Sequence, residues 1–104
     1  MKIHLKNRSG SVNATAKYNE KDGSVTVCKG SIISQGVSGG TFRSANSVSK
    51  LRADKKIVNG VEVIADITFK SASAAANFVT GTSTNGLLSW KNEEGVVLKK
   101  LIGE

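Results

Sequence analysis

The chain has 104 residues, with 15 Lys and Arg against 8 Asp and Glu, so its formal net charge is +7 and it is expected to form one domain over 1–104 around one core, without help from a metal or disulfide. A single cysteine, Cys28, excludes an internal disulfide, and the first ten residues are too polar for the apolar stretch of a signal peptide. No apolar run reaches the length that spans a bilayer, so a cytoplasmic, non-membrane protein is expected.

The first elements have a period of two. Ile3 and Leu5 alternate with Lys2, His4 and Lys6, and after Ser9-Gly10 the apolar side chains of Val12, Ala14, Ala16 and Tyr18 alternate with Asn13, Thr15, Lys17 and Asn19. Asp22-Gly23 signals a hairpin, and Val25 and Val27 continue the same face on a third strand. The expectation is an antiparallel β-meander with one apolar side that needs a cover. His4, on a basic strand, is expected to be exposed.

Ser34 to Phe42 is rich in glycine but lacks the Gly-Lys-Ser/Thr ending of a phosphate-binding P-loop, so it reads as a loop before a helix. That helix is expected over about residues 46–58, with Val48, Leu51 and Val58 on one side and Asn59-Gly60 as its stop. Val61, Val63, Ala65, Ile67 and Phe69 then alternate with polar neighbours as a strand or extended connector.

The run from Phe69 to Lys91 is the most specific segment. Ser71 stands where its oxygen can cap a helix, Ala72, Ala75, Ala76 and Val79 repeat at helical spacing, and Gly81 is a left-handed stop, which together predict a helix over about 72–80. An alanine face lets the backbone of its neighbour approach closely. Asn85-Gly86 is a turn dipeptide, and Leu88 and Trp90 alternate with Ser89 and Lys91 as a half-buried strand would. With Val96 to Ile102 returning beside it, this predicts a C-terminal β-hairpin around Trp90. The fold class is therefore α+β, with a meander, two helices and that hairpin. Trp90 is expected to anchor the core.

Phe69, Ser71, Ser73, Ala74, Ala75, Gly81, Asn85, Gly86, Trp90 and Lys91 also form a pattern that resembles the domain-of-unknown-function (DUF4357) family found behind GIY-YIG nuclease domains. The same pattern is similar to that of restriction–adenine-methylase-associated domains. Val25 to Ser31 matches the family's strand ending in Lys-Gly-Ser, whereas Ala72 replaces the usual proline and Leu87 the usual aromatic. The resemblance implies an accessory domain of a DNA-processing or restriction-modification system.

Charge is segregated along the chain. Residues 1–60 hold eleven Lys and Arg against Glu20, Asp22 and Asp54, whereas residues 61–104 hold four against five acids. A basic excess of this kind favours polyanions as partners and also aids solubility. Arg43, Lys50, Arg52, Lys55 and Lys56 form the densest cationic group. On a helical wheel Arg43 and Lys50 share one side, Arg52 and Lys56 another, and Lys55 lies near the apolar side. A solvated helix and a phosphate-binding face both fit that distribution. Asn85, Gly86 and Lys91 are candidates for a second contact surface, with turn geometry and solvation as their alternative roles.

No strand interleaves basic and aromatic residues as single-strand binders do, so duplex DNA is the expected partner. Catalysis is not expected: His4 and Cys28 are each the sole residue of their type, which supports neither a metal centre nor a cofactor-free Cys/His pair, and no serine has a base beside it. Glu62 and Asp66 share a strand face but lie roughly 13 Å apart at strand rise. The expected function is non-enzymatic duplex-DNA binding without metal or cofactor. The rival is a protein-interaction module that docks a nuclease or methylase subunit through Phe42, Leu87 and Leu88. A purely stabilising role for a larger chain is the third reading.

Overall fold

The computed structural model describes residues 1–7, 10–34, 45–81 and 84–103, with the side chains at 45–47 and 49 outside the description. The glycine-rich loop after Ser34, with Phe42 and Arg43, therefore lies outside the described residues. The architecture is mixed α+β. Strands β1 (Lys2–Lys6), β2 (Asn13–Tyr18) and β3 (Val25–Val27) form the meander, and β6 (Ile67–Phe69) adds a fourth antiparallel strand beside β3. The register pairs Ile3 with Ala16, Leu5 with Ala14, Ala16 with Val27 and Val27 with Ile67, so the apolar parity of every strand falls on one face. Ile3, Ala14, Ala16, Val25 and Val27 are fully buried there. Each buried Val or Ile contributes about 1.5–3 kcal/mol relative to exposure.

The β2–β3 hairpin is held by its turn chemistry. Gly23 adopts a positive φ of 75°, and the Asp22 carboxylate accepts the Ser24 backbone N–H at 2.9 Å. Hydrogen bonding by Ser24, first through its side chain and then through its backbone, holds the Asp22 carboxyl below the usual aspartate range.

Helix α2 (Ala72–Thr80) covers the apolar face of β3 and β6. Its boundaries follow from its caps: Ser71 Oγ accepts the Ala74 N–H at 3.1 Å, and Gly81, with φ 73°, closes the last turn on Asn77 O. Ala72, Ala75, Ala76, Phe78 and Val79 are buried along it. The Phe78 ring lies 5.2 Å from that of Phe69 on β6.

Helix α1 (Ala45–Ala53) packs against α2, with Val48 buried in the core, and is shorter than the pattern suggested. Asp54 ends it, because its carboxylate accepts the Lys56 backbone N–H at 2.9 Å and so draws the chain into a turn. Val58 then belongs to β4 (Val58–Asn59), not to the helix, and Gly60-Val61 is the hairpin turn into β5 (Glu62–Val63). The extended segment after Val61 is thus two strands, β5 and β6, rather than one.

The C-terminal region differs more. Gly86–Ser89 forms a single helical turn, α3, in place of the expected strand through Leu88 and Trp90. Asn85 caps it by accepting the Leu87 N–H at 3.1 Å, and the Trp90 N–H closes on Gly86 O at 3.1 Å. What remains of the hairpin is the bridge between Lys91 and Val97 across the Asn92–Gly95 turn, followed by α4 (Leu98–Leu101). Trp90 anchors the core, as expected, and is fully buried.

Candidate functional site

The basic residues singled out in the sequence do not form one surface. Lys50, Lys55 and Lys56 are exposed on α1 and the turn after it, with Asp54 among them. Arg52 is different. Its guanidinium turns inward and donates to Phe78 O at 2.9 and 2.8 Å, Val79 O at 3.1 Å, Ser34 O at 2.7 Å and Ser34 Oγ at 2.9 Å. Burial pushes its pKa below the ordinary guanidinium value. The structural reason is the end of α2, whose last carbonyls have no intrahelical donors. Arg52 is therefore a bracket between α1, α2 and the segment at Ser34, and its donors face carbonyls and a hydroxyl instead of phosphate.

Asn85, Gly86 and Lys91 also have distinct roles. The Asn85 side chain is the cap of α3. Gly86 is buried, and a Cβ there would collide with the carbonyl carbon and oxygen of Ala72 and with the nitrogen of Ser73. Its N–H donates to Ser73 Oγ at 3.1 Å, and Trp90 Nε1 donates to Ala72 O at 3.0 Å. This run of glycine, serine, alanine and tryptophan locks α3 against the first turn of α2. Gly86 is thereby removed from any contact surface. Lys91 stays exposed, and its backbone pairs with His4 through bonds of 2.7 and 2.9 Å, so it extends the sheet beyond β1.

That pairing changes the position of His4, which is half-buried instead of exposed. Its Nδ1 is 3.4 Å from Thr15 Oγ1, while Nε2 is buried without a hydrogen-bond partner among the described residues and lies 3.9 Å from Glu93 Oε1. The ring lines a groove of about 510 Å³ with Lys6, Ser89, Lys91, Asn92, Glu93 and Gly95. Donors predominate along this groove, and Glu93, 73% exposed, is its one carboxylate.

Lys2, Lys6 and Lys17 stand outside the cationic cluster that is evident in the sequence. Their signal was already in the period of two: each alternates with a core residue and so projects from the other side of the sheet. The register sets Lys2 directly opposite Lys17.

Neither a curated protein nor a solved structure matches the chain. The family model described as a domain of unknown function (DUF4357) matches residues 4–102, which takes in both the meander and the α2–α3 lock. The chain belongs to the DUF4357 family.

Proposed function

We propose that this chain is a non-enzymatic accessory domain that binds duplex DNA within a DNA-processing or restriction-modification system. The observation that carries the reading is the segregated charge. Residues 1–60 have eleven cations against three acids, and every described lysine among them is exposed. Exposed ammonium groups in excess attract phosphate, and their stems let them follow a backbone without reading sequence. The contact set is Lys50, Lys55, Lys56 and Lys91, with Arg52, Gly86 and the capping side chain of Asn85 reassigned to the scaffold and Arg43 outside the described residues. The link to nuclease or methylase systems comes from the sequence resemblance.

The test is titration of a labelled duplex, plain and adenine-methylated, over a salt series. Log affinity should fall linearly with log salt, with a slope of roughly 0.9 per phosphate contact. Changing Lys50, Lys55 and Lys56 together to Ser should flatten that slope. A wild-type chain that fails to bind duplex at low salt would sink the reading.

A specific observation favours the rival. Leu88 is 51% exposed at the surface of α3, beside the half-buried Leu87. A protein-docking module would use these leucines, and its binding to a nuclease or methylase subunit would be insensitive to salt.

A further inference from the structure

The open face of the main sheet is polar from edge to edge. One row across it runs Lys2, Lys17, Thr26 and Thr68 in direct register over β1, β2, β3 and β6. The next row runs Lys91, His4 and Thr15. Lys6 follows one step beyond His4 on β1. Lys2, Lys6, Lys17 and Lys91 are all exposed, and the helix that packs on β3 and β6 does so from the apolar side.

This arrangement is unfavourable for the chain alone. Like charges directly opposite on neighbouring strands repel, and Lys2 and Lys17 are such a pair. Glu93 relieves Lys2 only loosely, at 3.9 Å between two exposed groups. An anion lying across the face would relieve the repulsion fully. The groove at the edge adds a second, independent pointer, because the buried His4 Nε2 beside it has no hydrogen-bond partner among the described residues. A phosphate oxygen in that groove would meet Lys6 and Lys91 beside the His4 ring.

The shape selects the kind of polyanion. Lys2 and Lys6 are about 13 Å apart along β1, and Lys17 and Lys91, on opposite sides of β1 and one row apart, are about 12 Å apart on the diagonal. The patch is thus comparable to the roughly 12 Å width of a duplex major groove. Its strand positions hold lysine, histidine, asparagine and threonine, with no aromatic ring on which an unpaired base would stack. Tyr18, the aromatic residue of β2, packs toward the core.

We infer that this sheet face, with Lys2, Lys6 and Lys17 around the His4 groove, is a second phosphate-contacting surface that lies along a duplex backbone, in addition to the lysines after α1. The inference rests on the duplex-binding reading above. It adds contacts that the basic helix does not supply.

The experiment compares the salt dependence of duplex binding for the full chain and two triple variants. Lys2→Ser/Lys6→Ser/Lys17→Ser removes the sheet charges. Lys29→Ser/Lys99→Ser/Lys100→Ser removes equal charge from exposed positions outside the strands, Lys29 having the parity of the inward-facing Val25 and Val27, and serves as the control for net charge. The sheet variant should lower the slope by about 2 to 3, at roughly 0.9 per contact, while the control stays near wild type. Amide shifts induced by the duplex in the wild-type chain should include Lys2, His4, Lys6, Thr15 and Lys17. A sheet variant with the wild-type slope, an equal drop in both variants, or tighter binding to a single strand than to the duplex would overturn the inference while leaving duplex binding intact. A wild-type chain that binds no duplex would overturn both.

Discussion

Arg52 reaches from α1 to the last turn of α2 and donates to the Phe78 carbonyl from both Nε, at 2.9 Å, and Nη2, at 2.8 Å. Helix α2 has no basic residue in its own last turn, so the charge and donors that suit a helix C-terminus come from a different element. Ser34 completes the arrangement: its Oγ donates to Thr80 O at 2.6 Å and accepts from Arg52 Nη2 at 2.9 Å. A residue that reads as part of a cationic cluster thus joins three segments of the fold.

Replacing Arg52 with Ala should destabilise the chain by about 2–4 kcal/mol, because several half-buried carbonyls lose a charged donor at once. Arg52→Lys should recover only part of that, since an ammonium is a point charge and cannot reproduce the planar fork. Urea unfolding measures both. Duplex binding by Arg52→Ala, measured where the variant is still folded, should keep the wild-type salt slope. A reduced slope with unchanged stability would return Arg52 to the phosphate surface.

Gly86→Ala should be among the most disruptive single-methyl changes in the chain. The added Cβ meets the Ala72 carbonyl and the Ser73 nitrogen, which are backbone atoms and cannot rotate away. Relief requires α3 to move off α2, which also stretches the Gly86 N–H bond to Ser73 Oγ and the Trp90 Nε1 bond to Ala72 O. The expected cost is about 3 kcal/mol, at the upper end of the range for overpacked sites. A thermal midpoint lowered by about 10 °C or more would agree with it, at about 4 °C for each kcal/mol. A midpoint equal to wild type would show that the α2–α3 contact has slack.

Much of this fold was legible because its signals are local. Ser71, the alanine face and Gly81 define α2 without reference to anything else, and the alternation of Ile3, Leu5, Ala14 and Ala16 fixes the sheet face. The misread segments are those where one local signal serves two structures. Asn59-Gly60 stops a helix or leads a strand into a hairpin turn equally well, and the alternation of Leu88 and Trp90 is too short to separate a strand from one helical turn capped by Asn85. The site was less legible than the fold. Whether a lysine or arginine points to water depends on what tertiary packing brings beside it, and nothing near Arg52 in sequence announces the end of α2. His4 had the right parity, but the pairing with Lys91, eighty-seven residues away, half-buries it.

Trp90→Phe separates the hydrogen bond of the indole from its bulk. The side chain is fully buried and Nε1 donates to Ala72 O at 3.0 Å, so the change removes one bond and leaves a void where the larger ring was. Together these should cost about 2–4 kcal/mol. The distribution of the loss is more informative than its size. Ala72 opens α2 and Gly86 opens α3, so losing the indole bond should accelerate amide exchange in the first turn of α2 and at Gly86 more than in β1 and β2. Equal acceleration throughout would mean that Trp90 acts only by filling volume. Preferential opening of the two helix starts would show that the indole N–H is what ties α3 to α2, and thereby holds Lys91 against His4 at the edge of the basic sheet face.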